Sequence, residues 1–479
     1  MTISVAIFDR GNIPPEKGTI DKNDVTDWIN ENAPVNVKFI PVPRWETVQT
    51  YNIWLASGET PDIFMEFQPE MTQNYVNQGV LMEVGPLLDQ YGADIRALTP
   101  PEVAKWSVYN GKEYAVPQIR SKIAVANWMV WIREDIRAEL GFKELETTDD
   151  FLEFCRAVVS NDVGGMGAGN VRGFNLAGPG SSGRIDNMFG IQGGWVITPE
   201  GEFEHCTMTP NMLDVLTFKK TLWDEGLTDK EYLTDSTGAN AKEDWLNGKY
   251  ALYSDGTGGP PGWLANLKTN VPAADPQPLK ALKSPYGHQG WYQERECGLL
   301  NMIPVTSKNP EAAIKYLNWM ITEGWEPIAY GVEGLHYVKE DGVIISTYTQ
   351  DQWDKDLKYR GDFKILANEN IQPEDLKIKF SKAAPEVFEA RMLEAKAIAT
   401  TFLVPYKRDA PISNLGLAII TEQMPDLDAF AVEIFDTAIN GGQSAEAAWN
   451  TVRDEWNKRG YQNIKAEYNA KAREMGLIN

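Results

Sequence analysis

Only three cysteines and three histidines occur in 479 residues, and no run of about 18 apolar residues is present. The cysteines, Cys155, Cys206 and Cys297, are odd in number and show no CxxC spacing, so neither a disulfide framework nor a zinc site is supported. His205, His288 and His336 lie far apart, and none sits in an HExxH pattern. GxSxG, Walker A and HxE…CxxC signatures are also missing. Basic residues are in the minority, 45 against 68 acidic, for a formal charge of -23. Such a surface repels phosphate backbones and argues against nucleic-acid binding. No cofactor and no metal follow from these residues.

What remains is an ordinary globular composition, 43% hydrophobic and 24% charged, long enough for two large lobes. Tryptophan stands out: 16 residues, within an aromatic share of 11%. Most are expected in the core, with about a third lining a site, because ligand pockets have apolar and aromatic walls. The chain opens on Met1-Thr2-Ile3-Ser4-Val5-Ala6, which reads as a first strand and not as a signal peptide.

Strand and helix alternate from the start. Ile3–Phe8, Val35–Ile40 and Asp62–Met65 read as strands, and residues 24–32 and 48–57 as helices. Strands separated by helices imply a mostly parallel sheet covered on both faces. A strand is expected at Tyr114–Pro117 and another over Ile123–Ile132, followed by helices at Glu134–Leu140 and 148–158. Residues 164–194 read as loop. Their Gly164-Gly165-Met166-Gly167-Ala168-Gly169 follows a helix and lacks the Lys-Ser/Thr of a phosphate loop. Helices are expected at 211–225 and 241–247, a strand at Ala251–Ser254, loop at 271–290, a strand at Leu299–Ile303 and a helix at Pro310–Ile321. From about 375 onward the chain reads as largely helical.

Six segments occur in a telling order: Leu55-Ala56-Ser57-Gly58-Glu59-Thr60-Pro61-Asp62-Ile63, Gly111-Lys112-Glu113-Tyr114-Ala115-Val116-Pro117, Trp131-Ile132-Arg133-Glu134-Asp135, Asn247-Gly248-Lys249-Tyr250-Ala251-Leu252, Lys308-Asn309-Pro310-Glu311-Ala312-Ala313-Ile314-Lys315-Tyr316-Leu317 and Gly331-Val332-Glu333-Gly334. Together they resemble the extracellular solute-binding proteins of carbohydrate ABC transporters, in particular the large oligosaccharide-binding lipoproteins similar to alginate-binding protein. The resemblance implies an α/β, two-lobed periplasmic-binding-protein-like fold of type II with the ligand cleft between the lobes. It implies residues 1–118 and 297–345 in one lobe, and 119–296 with 346–479 in the other. It also implies capture of an oligosaccharide, lobe closure on it, delivery to ABC transporter permease subunits, and no catalysis. A monomer at the cell surface or in the periplasm is expected. Many such proteins carry an acidic calcium loop; Asn161-Asp162-Val163-Gly164-Gly165 lacks its run of oxygen ligands. The lipobox cysteine is absent too, so a lipid anchor rests on the resemblance alone.

Ligands in open parallel sheets bind beyond the carboxyl ends of the strands. That rule selects Asp9 and Arg10 after the first strand, Glu66, Phe67 and Gln68 after the third, Arg120 after Tyr114–Pro117, and Asp255 with Trp263 after Ala251–Ser254. Trp291, Glu294 and Arg295 precede a return crossover, Trp128 lies in a crossover segment, and Trp195 follows two glycines. Sugars need flat aromatic faces for their C–H surfaces and planar polar groups for paired hydroxyls. Trp263 and Trp291 are the expected stacking platform. Asp9-Arg10 could also be a surface ion pair, and Trp128 a packing residue. A carbohydrate-active enzyme using two carboxylates, or a peptide-binding transport receptor, are the alternative functions.

Overall fold

The computed structural model describes residues 1–178, 181–191, 194–369, 371–406 and 415–479. The chain divides into two compact units. Unit 1 comprises Met1–Val125 and Arg295–Phe388; unit 2 comprises Ala126–Glu294 and Glu389–Asn479. The principal strands, in chain order, are β1 (Thr2–Asp9), β2 (Asn36–Pro43), β3 (Phe64–Glu66), β4 (Ala115–Ile119), β5 (Trp128–Arg133), β6 (Arg172–Phe174), β7 (Tyr250–Gly256), β8 (Pro276–Pro278) and β9 (Cys297–Met302).

In unit 1, β1 and β2 pair in parallel, from Thr2 opposite Asn36 to Asp9 opposite Pro43. A parallel bridge between Val5 and Ile63 brings in β3, with Ala6 N donating to Ile63 O at 2.8 Å. β9 then runs antiparallel between β3 and β4. Ile3, Val5, Ala6, Ile7 and Phe8 are all at most 2% exposed. A continuous apolar run of this kind marks a strand covered on both faces. The intervening helices start where the sequence supplies caps. The Asn23 side-chain Oδ1 accepts from Val25 N and Thr26 N, and Thr26 Oγ1 accepts from Asn23 N, closing a capping box for Asp24–Asn32. The helix Thr47–Ser57 ends at Gly58, whose φ of 74° is the left-handed cap that glycine adopts without a steric cost.

Unit 2 holds a second sheet in the order β8-β5-β7-β6, with only β7 and β6 parallel. The helix Thr148–Ser160 carries a capping box between Thr147 and Asp150. The C-terminal helices Ala418–Ile439, Ala445–Lys458 and Tyr461–Glu474 bury Trp449, Trp456, Tyr461 and Tyr468 against this unit's core.

Four sequence expectations change. The segment 123–132 is not one strand: a helical turn at Lys122–Val125 precedes β5. The stretch 164–194 contains β6 and a helix, Ser181–Met188, as well as loop. β6 is three residues long and shows no alternation, being held by its parallel partner β7. The segment 271–290 contains β8. Residues 346–388, expected with the second lobe, pack within unit 1. There Asn301 Nδ2 donates to Ile365 O at 3.0 Å, and Phe363 meets Phe39 edge-on at 5.5 Å. This stretch is made of short helical turns whose buried Tyr359, Phe363, Ile365 and Leu366 follow no single period.

Candidate functional site

β1, β2 and β3 are parallel, so their carboxyl ends reach the same edge of unit 1. Asp9 and Arg10 are both exposed there, but they do not pair with each other. Arg10 Nε donates to Asp362 Oδ1 at 2.6 Å, and Asp9 Oδ1 accepts from Gly11 N at 2.9 Å. Burial pushes the Asp362 carboxyl up, opposed by Arg10 and Asn12. Glu66 is 2% exposed; its carboxylate accepts from Thr47 Oγ1 at 2.8 Å and from Phe67 N at 2.6 Å. Phe67 stacks on Phe8 at 5.8 Å, and Gln68 is exposed at the start of the helix Pro69–Asn77.

Residues that the sequence reading passed over complete this edge. Arg44 follows β2, and its guanidinium lies 4.7 Å from the Phe8 ring centroid, 5.1 Å from Phe67 and 5.3 Å from Trp45. Its Nη2 is 3.9 Å from Glu66 Oε1. Trp45 is 87% exposed. The strand-end rule applied to β2 as well as β1 and β3 would have found both. Asp362 sits in an irregular segment and left no such signal.

Arg120, directly after β4, and Arg295, just before β9, are half-buried at the same end of that antiparallel pair, apart from the other group in sequence and partners. Arg120 N donates to Glu296 O at 2.9 Å, and the Arg295 guanidinium lies 5.7 Å from the Trp106 ring. Both guanidiniums act on the buried thiol of Cys297, which burial pushes up to about 12. All three cysteines are buried and free.

In unit 2, Trp128 and Asp255 stand near one end of the β5–β7 pair but on opposite faces of the sheet. Trp128 stands opposite Gly256, and Asp255 opposite Met129, at one end of the β5–β7 pair. Arg184, also missed in the sequence, lies 5.6 Å from the Trp128 ring. Burial lowers its pKa, while Asp186, Glu294 and Tyr292 favour its charge, which brings Glu294 into the same group. Burial pushes the Asp255 carboxyl up, against the Gly256 backbone N–H and the neighbouring Trp263 indole.

The other expected tryptophans lie in the core. Trp263 is 2% exposed and meets Trp131 at 5.3 Å and Trp245 at 5.6 Å, both edge-on. Trp291 is 1% exposed, and its Nε1 donates to Leu279 O at 2.9 Å. Trp195 stacks on Tyr468 at 3.9 Å, so the two glycines before it do not lead to exposure. Glycine and proline beside Trp263 likewise mark close packing: a Cβ on Gly259 would stand 2.3 Å from Asp255 Oδ2 and 2.7 Å from Trp263 Nε1.

Among the described residues, no three His, Cys, Asp or Glu side chains are grouped to hold a metal ion. The loop after Ser160 uses its acids otherwise: Asp162 Oδ1 accepts from Gly167 N at 2.6 Å, and Glu139 Oε2 accepts from Gly164 N at 2.9 Å. No helix among the described residues is long and apolar enough to cross a membrane.

Comparison with known proteins agrees with this architecture. Lipoprotein LipO of Bacillus subtilis is 24% identical over 457 residues, 90% of this chain and 85% of that protein. An HMO-binding, ABC-transporter-associated solute-binding protein from Bifidobacterium longum infantis superposes with a TM-score of 0.75 at 16% identity, covering 98% of each chain. The alginate-binding protein AlgQ2 gives 0.73 at 18% identity, covering 97% of this chain and 96% of its own. The fold is therefore that of the periplasmic solute-binding proteins. A family model described as bacterial extracellular solute-binding protein matches residues 15–327, more than half of the sequence, and the chain belongs to that family.

Proposed function

We propose that this protein captures an oligosaccharide outside the cytoplasmic membrane and delivers it to the permease subunits of an ABC importer. The observation that carries the reading is the strand-end edge of unit 1. It offers an exposed indole beside exposed carboxylate and guanidinium groups, the two kinds of surface a sugar needs. On unit 2 the half-buried Trp128 carries the Arg184 guanidinium over its ring. The ligands that the similar structures are named for, alginate and HMO, support the class and not a particular sugar. The protein acts as a monomer without catalysis, as a cell-surface lipoprotein or in the periplasm, and closes on its ligand by a hinge motion.

Calorimetry against an oligosaccharide panel, followed by chromatography of the incubated sugars, tests this. Binding with unchanged sugars supports the proposal. New products favour a glycosidase or lyase, and heat with peptides alone favours a peptide receptor. Small-angle scattering should give a smaller radius of gyration when the sugar is added.

A further inference from the structure

We propose that Trp45 is the stacking platform of unit 1, receiving the C–H face of a pyranose ring whose hydroxyls reach Asp9. The inference deepens the oligosaccharide reading and rests on it.

Trp45 is the one exposed tryptophan among the described residues, the other fifteen being buried or half-buried. Trp106, Trp131, Trp195, Trp245, Trp263, Trp291, Trp319, Trp325, Trp449 and Trp456 are each at most 9% exposed, whereas Trp45 is 87% exposed. An indole left in water forgoes a large burial gain, so its place needs a reason. It stands immediately after β2, at the parallel-sheet edge where ligands bind. The register places Asp9 opposite Pro43, two residues before Trp45, so the Asp9 carboxylate and the indole belong to one edge. Asp9 spends one oxygen on Gly11 N and is otherwise exposed. The neighbouring Arg44 is held against Phe8 and Phe67, which ties the backbone carrying Trp45 to β1 and β3. An aromatic face beside a hydroxyl acceptor, on an anchored backbone, matches an uncharged pyranose ring with its two kinds of surface.

The test starts with a glycan array probed with the wild-type chain. Its strongest glycan is then titrated calorimetrically into the wild type, Trp45→Ala and Trp45→Phe, with melting curves for all three. The expected result is at least about a tenfold loss of affinity for Trp45→Ala, as for other buried-on-binding aromatic anchors. Trp45→Phe should recover part of that loss, and all three melting temperatures should agree, because the exposed ring contributes little to the fold. Wild-type affinity in a folded Trp45→Ala overturns this inference and leaves the oligosaccharide reading standing. A wild type that binds no glycan on the array overturns both.

Discussion

Replacing Trp263 by alanine should cost stability and not sugar contacts. The side chain is 2% exposed and lies between Trp131 and Trp245, with ring centroids at 5.3 and 5.6 Å. Burial of a tryptophan removes on the order of 200 Å² from water, worth about 5 kcal/mol at ~25 cal/mol per Å². Alanine keeps a small part of that area, and the cavity left behind relaxes only in part. The net loss should therefore be about 4 kcal/mol, within the range for large aromatic truncations. In a unit the size of unit 2 each kcal/mol moves the melting midpoint by roughly 2 °C. Differential scanning calorimetry should therefore show the unit 2 transition of Trp263→Ala about 8 °C below that of the wild type. At a temperature where it is folded, its affinity should stay within about threefold of wild type, set by small shifts of the adjacent Asp255. A variant that melts like the wild type and loses sugar binding would refute the reasoning and return Trp263 to the ligand surface.

Two pH-dependent outcomes follow from buried carboxyl groups. Burial would raise the Glu369 pKa, but Lys364 and Lys379 override it and hold the group down from 4.5 to about 2, with Lys364 Nζ donating at 2.6 Å. A depressed folded pKa contributes stability above pH 4.5, about 3 kcal/mol here, that is lost as pH falls toward 2. Glu369→Gln should therefore melt well below the wild type at pH 6 and close to it near pH 2; a gap independent of pH would count against this. Asp255 has the opposite sign. Its folded pKa is raised, so stability is lost as pH rises through the ordinary carboxylate range to the folded value. Asp255→Asn, which keeps an oxygen for the Gly256 N–H, should melt above the wild type at pH 7, with the gain vanishing below about pH 4. A gain that persists unchanged in acid would show that burial of the charge is not its source.

Much of unit 1 could be read from residues alone, because its signals are local. Val25 and Ile29 follow a capping asparagine, and Ile3–Phe8 is an apolar run of strand length. The strand-end rule depends only on strand direction, and Asp9, Glu66 and Phe67 do lie where parallel β1 and β3 end. What could not be read locally is which side chain at a strand end faces inward. Trp263 follows Gly258-Gly259-Pro260-Pro261-Gly262, a composition that suggests an exposed loop. Gly259 instead gives Asp255 and the indole the room they share, so glycine there marks dense packing. Trp45 has no glycine beside it and follows Pro43-Arg44, yet its ring is in water, and the side chain that lies over Phe8 and Phe67 is that of Arg44. Both outcomes depend on neighbours brought from distant sequence, such as Trp131 and Trp245 in one case and Phe8 and Phe67 in the other. Comparing Trp45→Ala with Trp263→Ala therefore separates two roles that composition makes look alike: affinity without stability for the first, and stability without affinity for the second.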